Sequence, residues 1–275
     1  MKVVKIIPLS EPVTATVAIP GSKSYTNRAL ILAALTKGKV IIRNPLFSDD
    51  IEAMIGCLNT LGIKCRVDND SIVVEGGINS VKDRTYNLDA NLSGTTIRFI
   101  LALATVVPGT KIIGGRGRLN ERPVSDLVDS LSQLGARIEY LEKEGFPPLR
   151  VLPAKLSGRT IKMNGAVSSQ FLSAILMIAP IIGDLGIEIT GKQISKPYID
   201  MTIDTMKRFG VPVIQGSDST YFVTSAKYSA SEYVVEGDVS SASYFFAIAA
   251  LTGSRITLTN MNPASLQADM GFLRI

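Results

Sequence analysis

Residues 21–35 read Gly-Ser-Lys-Ser-Tyr-Thr-Asn-Arg-Ala-Leu-Ile-Leu-Ala-Ala-Leu: a hydroxyl-rich opening, Ser22-Lys23-Ser24, that runs into a wholly apolar stretch. The same design returns three times. Ser93-Gly94-Thr95-Thr96 precedes apolar residues 99–104, Ser168-Ser169-Gln170 precedes 171–179, and Ser240-Ser241-Ala242-Ser243 precedes 244–251. The starts at 22, 93, 168 and 240 lie 71, 75 and 72 residues apart, so the chain is an internal repeat. Each opening predicts a helix that a small or hydroxyl residue begins. A turn with Gly or Pro follows, such as Lys37-Gly38-Lys39 or Pro108-Gly109-Thr110, and then a β-branched strand such as Val40-Ile41-Ile42 or Ile187-Glu188-Ile189.

The first three units continue into a second, amphipathic helix. Apolar spacing at Leu127, Leu131 and Leu134, and at Ile203, Met206 and Phe209, supports it, and Leu61-Gly62, Leu134-Gly135 and Phe209-Gly210 mark its end. Another strand comes next, so a unit of about seventy residues is βαβαββ-like. Three such units, over residues 20–233, make a three-fold pseudo-symmetric α/β domain. Residues 1–19 and 234–275 fall outside it and are expected to form part of a second domain, with two chain crossings between them. The fourth unit stops at residues 269–275, where its second helix should begin; a repeat stopped there leaves an apolar face uncovered, and the chain reads as incomplete.

Composition narrows the chemistry. A net charge of +5 favours acidic partners: nucleic acid, anionic membrane, or phosphorylated and carboxylated metabolites. The absence of Trp, the few aromatics and the scattered basic residues argue against a base-stacking nucleic-acid surface. The longest apolar run, residues 171–182, contains Pro180 and falls short of the roughly 20 residues that span a bilayer, so no membrane role is expected. Without histidine there is no Ser-His or Cys-His nucleophile pair, and proton transfer falls to carboxylates, lysine or tyrosine. Cys57 and Cys65, with no CxxC and no histidine, suggest neither a disulfide nor a zinc site and fit reduced thiols in a cytoplasmic protein.

Within the first opening, Lys23 and Arg28 oppose the helix macrodipole, by about 0.3–1 kcal/mol each when exposed, unless a bound anion offsets them. Ser24 and Arg28, four apart, share a face. The conflict recurs at Gly94-Thr95-Thr96-Ile97-Arg98. In Arg116-Gly117-Arg118-Leu119-Asn120-Glu121-Arg122-Pro123, Arg116 and Arg118 read as solvated, whereas Arg122, held against a helix expected to start with Pro123, is a candidate fork for carboxylate or phosphate. Val167-Ser168-Ser169-Gln170 and Ser195-Lys196-Pro197-Tyr198 add hydroxyls and an amide suited to phosphate and to sugar-like hydroxyls.

Six stretches in order resemble the 5-enolpyruvylshikimate-3-phosphate synthase family: residues 20–28; Ser93-Gly94-Thr95-Thr96-Ile97-Arg98; Asn120-Glu121-Arg122-Pro123; Val167-Ser168-Ser169-Gln170-Phe171-Leu172; Ser195-Lys196-Pro197-Tyr198-Ile199-Asp200; and Val235-Glu236-Gly237-Asp238. The resemblance implies a two-domain, inside-out α/β barrel-like fold of six such units. It also implies transfer of the enolpyruvyl group of phosphoenolpyruvate to the 5-hydroxyl of shikimate 3-phosphate, with release of phosphate, through a tetrahedral intermediate and without metal or organic cofactor. By similarity, Ser24 and Arg28 hold the shikimate ring and its carboxylate. Ser168, Ser169 and Ser195 hold the phosphate, with Gln170 and Tyr198 alongside. Lys23 touches both substrates as a supporting catalytic group, Gly94 and Arg122 line the phosphoenolpyruvate position, and Arg98 resembles an arginine near it. The resemblance further implies a cytoplasmic protein, expected to be a monomer, and places the family's proton-transfer Asp and Glu after Ile275.

One departure is Leu92, where many family members have Asn, so that a polar contact is lost or supplied by Asn91. Two rivals stand beside this reading. The sister family acting on a UDP-linked amino sugar usually has Asn after the lysine and a Cys in the arginine loop; here Ser24 follows Lys23 and residues 114–123 contain no Cys. A binding-only protein for shikimate 3-phosphate, without chemistry, is the other.

Overall fold

The computed structural model describes the chain apart from residues 1–3, 6, 167, 217, 218 and 275, and the side chain of residue 274. Val167, of the serine-rich motif, and Ile275 therefore lie outside the described residues. The elements run β1 (Thr14–Ala18), α1 (Lys23–Leu35), β2 (Lys39–Arg43), α2 (Asp49–Leu61), β3 (Lys64–Asp68), β4 (Ser71–Glu75), β5 (Thr85–Asp89), α3 (Gly94–Thr105), β6 (Thr110–Gly114), α4 (Ser125–Gln133), β7 (Arg137–Tyr140), β8 (Leu149–Leu152), β9 (Thr160–Asn164), α5 (Ser169–Ile182), β10 (Leu185–Thr190), α6 (Lys196–Arg208), β11 (Ile214–Gln215), β12 (Thr220–Val223), β13 (Glu232–Val234), α7 (Val239–Thr252) and β14 (Arg255–Thr259).

Three four-stranded sheets share one plan, in the orders β13-β2-β4-β3, β5-β6-β8-β7 and β9-β10-β12-β11. In each, the first two strands are parallel and the later pairs antiparallel. Beyond their polar beginnings, helices α1, α3 and α5 are apolar on nearly every side and lie in the common core, with Leu30, Ile100 and Ile175 fully buried. A helix without a polar face is stable only when surrounded. The sheets lie outside it, and β5 and β9 alternate buried and exposed side chains as a sheet with one wet face must. This is the inside-out α/β arrangement, in three βαβαββ units. The second helices stop where expected, with Gly62, Gly135 and Gly210 at φ of 92°, 99° and 87° just past their ends.

Strand partnership departs from chain order. β1 precedes α1 in the chain, yet it pairs with β14; β13 precedes α7, yet it pairs with β2. The first and fourth units thus exchange their leading strands, and the two crossing segments lie side by side. Gly21 bridges Gly237, Ser22 N–H donates to Glu236 O at 2.8 Å, and Asp238 N–H donates to Pro20 O at 2.9 Å. The fourth helix also begins earlier than Ser240: α7 starts at Val239 with Asp238 as its cap, accepting from Ser241 N–H at 2.8 Å. A carboxylate at that position adds a charge to the cap bond and outcompetes the serines that follow. α7 is as apolar as the central helices, but of its side chains only Val239 and Ala242 are buried, and Leu251 is 86% exposed.

Several buried titratable groups bear on reactivity and stability. Cys57 and Cys65 are free and buried, and burial pushes both thiols up to about 12, so neither is a reactive thiolate. Lys111, on β6, is completely buried, donates to Val107 O beside the carbonyl end of α3, and is pushed down to about 8 by burial, with Asp83 opposing. Its ordinary value is 10.5, so between pH 8 and 10 the unfolded chain binds more protons there than the folded one, and this group's contribution to stability rises with pH. Urea unfolding at pH 8 and pH 10 should show Lys111→Met losing that rise, a difference of roughly 1–3 kcal/mol between the two proteins. The buried Tyr25 and Tyr233, pushed up by burial, act in the opposite sense only above pH 10.

Candidate functional site

The first two turns of five helices form a closed ring of polar contacts. Lys23 of α1 pairs with Asp50 of α2 at 3.1 Å. The backbone carbonyl of Asp50 accepts from Thr96 Oγ1 of α3 at 3.1 Å. Gln170 of α5 donates to Thr95 Oγ1 of α3 at 3.2 Å and accepts from Arg98. Ser173 of α5 accepts from Thr202 Oγ1 of α6 at 2.7 Å. Arg28 of α1 closes the ring by donating from Nε to Thr202 Oγ1 at 2.7 Å and from Nη2 to Tyr198 O at 2.8 Å. Helix beginnings carry free N–H groups and the positive end of the dipole, so a ring of them is a place for negative charge.

Arg28 is only 2% exposed. Its Nη1 donates to Ser24 O at 2.8 Å, and its guanidinium lies 5.7 Å from the Phe99 ring. Burial lowers it to about 10. Arg98, half-buried over Phe171, is lowered first by burial and then by the neighbouring Arg122, and its Nε is buried without a hydrogen-bond partner. Arg122 is exposed and reaches over Gly94: a Cβ there would stand 2.3 Å from Arg122 Nη1, so a side chain at this position would push the guanidinium away from the start of α3. The ion pairs among the described residues occupy Arg43, Arg66, Arg116, Arg150 and Arg208, and include none of Arg28, Arg98 and Arg122. Charges of one sign held together without counter-charge are costly unless a ligand supplies it.

The other candidates are distributed around this ring. Lys23, Ser24 and Tyr198 line a cleft of about 660 Å³ together with Asp49, Asp50, Asp238, Ser240 and Ser241. Ser168 caps α5 by accepting from Gln170 N–H at 3.3 Å, and with Ser169 it lines a small pocket against Asn164 and Gln193. Ser195 caps α6 with a left-handed backbone, φ 55°, a conformation costly for a residue with a Cβ and concentrated at functional sites. Leu92 is exposed beside Ser93. Asn91, at φ 52°, donates its N–H to Asp89 Oδ1 and accepts from Arg116 N–H through its carbonyl. A separate cavity of about 250 Å³ lies at the opposite, carbonyl ends of α3 and α5, lined by Thr105, Val107, Pro153 and Ile181, and suits no anion.

Two local expectations change. Pro123 is not the first residue of α4: residues Gly117–Glu121 form a 3-10 turn, Val124 is the cap, and the helix starts at Ser125. Val124 N–H is committed to Gly145 O at 2.9 Å, which holds the chain outside the helix for two residues more. Arg116 is not simply solvated; it pairs with Asp89 at 2.7 Å. Asp50, Asp238, Thr95, Ser173 and Thr202 escaped the sequence reading. Asp238 stood in a quoted motif without a role, and its carboxylate accepts from both Lys23 N–H and Ser241 N–H, at 3.3 and 2.8 Å.

Comparison with known proteins agrees with this architecture. The family model described as EPSP synthase (3-phosphoshikimate 1-carboxyvinyltransferase) matches residues 8–275. The chain is 44% identical over 269 residues to the 3-phosphoshikimate 1-carboxyvinyltransferase of Shewanella halifaxensis, covering 94% of this chain and 62% of that protein. It is 44% identical over 266 residues to that of Burkholderia lata, covering 94% and 61%. A solved structure of EPSP synthase from Acinetobacter baumannii has the same fold, with a TM-score of 0.82 at 23% identity over 94% of this chain and 58% of that one. The chain therefore spans 61–62% of the length of these curated relatives. With a family model matched along nearly its whole length, on a fold built from the expected repeats, the chain belongs to the EPSP synthase family.

Proposed function

We propose that the protein binds shikimate 3-phosphate on the ring of helix beginnings and takes part in the transfer of the enolpyruvyl group of phosphoenolpyruvate to its 5-hydroxyl, with release of phosphate. Ser24 and Arg28 hold the ring and carboxylate; Ser168, Ser169 and Ser195 hold the phosphate, with Gln170 and Tyr198 beside them. Lys23 reaches both substrates, and Gly94 with Arg122 lines the phosphoenolpyruvate position. Residues 20–233 form the substrate domain, and residues 1–19 with 234–275 contribute to a second one across the cleft. The protein acts in the cytoplasm as a monomer. The supporting observation is that Arg28, buried in α1, and the neighbouring Arg98 and Arg122 at the start of α3 are paired with no carboxylate among the described residues. Both substrates are multiply anionic. Fixed cations stabilise their phosphate and carboxylate charges while the C–O bond forms and the phosphate departs.

Calorimetric titration with shikimate 3-phosphate tests the reading, and Ser169→Ala should weaken binding by about tenfold, the worth of one hydrogen bond to a charged group. Equal affinity in the variant rejects the phosphate assignment. A second reading is recognition of shikimate 3-phosphate without turnover. A coupled phosphate-release assay with both substrates separates the two: release establishes transfer, whereas binding without release leaves recognition alone.

A further inference from the structure

We infer that Thr202 and Ser173 are positioning residues, which fix the Arg28 guanidinium for an incoming carboxylate while leaving its positive charge uncancelled. The inference rests on the anion-binding reading above. Both hydroxyls are completely buried, one on α6 and one on α5. Thr202 Oγ1 accepts from Arg28 Nε at 2.7 Å and has a single proton, shared between Ser173 Oγ at 2.7 Å and Tyr198 O at 2.9 Å. Ser173 Oγ in turn lies 3.4 Å from Arg28 Nη2.

The chemical type of these partners matters as much as their geometry. A guanidinium has five N–H donors. Four of Arg28's meet acceptors: Thr202, Ser173, and the carbonyls of Tyr198 and Ser24. All four acceptors are neutral. A buried arginine is ordinarily matched by a carboxylate, which satisfies the donors and extinguishes the field together. Hydroxyls and carbonyls do the first without the second, so the charge is aimed and retained. Ser24 and Tyr198, whose carbonyls grip the guanidinium, themselves line the cleft, which places it directly beneath the cleft floor. Neither hydroxyl is needed to fill an apolar core, where valine or alanine would pack as well, and among the described residues Arg28 is the cation to which both are bonded.

Calorimetry with shikimate 3-phosphate and with inorganic phosphate, on this chain and four variants, tests the inference. Thr202→Val should weaken shikimate 3-phosphate about tenfold, by leaving Arg28 Nε unpaired, and Thr202→Ser should stay within about twofold. Inorganic phosphate, which reports the serine contacts alone, should bind equally to all three proteins. The Arg28 Nε–H resonance should exchange with water faster in Thr202→Val than in the parent. Should Thr202→Val fail to fold, Ser173→Ala takes its place with the same expectation. An unchanged shikimate 3-phosphate affinity in the folded variant overturns the inference, and so does an equal loss for both ligands. Arg28→Ala separates the two levels: if it too binds normally, the anion-binding reading itself fails, and if it alone loses affinity, only the positioning role does.

Discussion

Arg28→Ala is expected to reduce the affinity for shikimate 3-phosphate by at least about a hundredfold, within the range of roughly 2–5 kcal/mol found when one partner of a buried charged contact is removed. The expectation follows from placement. The side chain is 2% exposed, its acceptors are all neutral, and burial has already lowered it to about 10, so its charge is poorly compensated until an anion arrives. A carboxylate bound nearby restores the lost solvation and gains from the low local dielectric. Arg28→Lys should not rescue binding, because an ammonium cannot keep Nε on Thr202 and Nη2 on Tyr198 together. Calorimetry on both variants, with circular dichroism to verify the fold, checks this. An affinity within threefold of the parent would remove the keystone of the proposed site.

Gly21→Ala should give the largest loss of stability, about 3 kcal/mol or more, through overpacking against atoms that cannot move. A Cβ at this position would sit 2.0 Å from the Asn44 carbonyl oxygen and 3.1 Å from backbone carbons of Asn44 and Pro45. Those atoms are pinned: Asn44 has a left-handed backbone, donates its N–H to Asp70 O at 3.0 Å, and holds Val235 O through Nδ2 at 2.9 Å. Relief must come from the crossing segments, where Gly21 bridges Gly237 and the next residues carry Ser22, Lys23 and Ser24. Thermal unfolding should fall by roughly 6–12 °C for a chain of this size. A midpoint within 2 °C of the parent would show that the crossing is looser than its contacts imply.

The parts that were legible in the sequence share one property: they depend on residues close together in the chain. Ser22, Ser93 and Ser168 marked the three central helices because an N-cap acts within its own turn, and Ser93 and Ser168 do accept bonds from Thr96 and Gln170. Ser22 does not; its hydroxyl is buried without a partner, and the start of α1 is held by the crossing segment instead. The serines at 240, 241 and 243 and Asp238 are all cap residues, and only the bond from Ser241 N–H shows that Asp238 is the one that caps α7. The repeat count set residues 1–19 with 234–275, but the pairing of individual strands was not legible, since a strand's side-chain alternation states which face is buried and not which neighbour will lie beside it.

Periodicity and composition by themselves determined that this is a repeated α/β protein with apolar central helices and cationic helix beginnings, because helix propensity, capping and charge are written within a few residues. Only the tertiary structure decided that Arg28 is buried with neutral acceptors, that Lys23 is tied to Asp50, and that Arg122 stands over Gly94. Contacts such as Arg28 with Thr202, 174 residues apart, exist because packing the helices together brings their first two turns into one ring, and no local pattern encodes which side chains meet there.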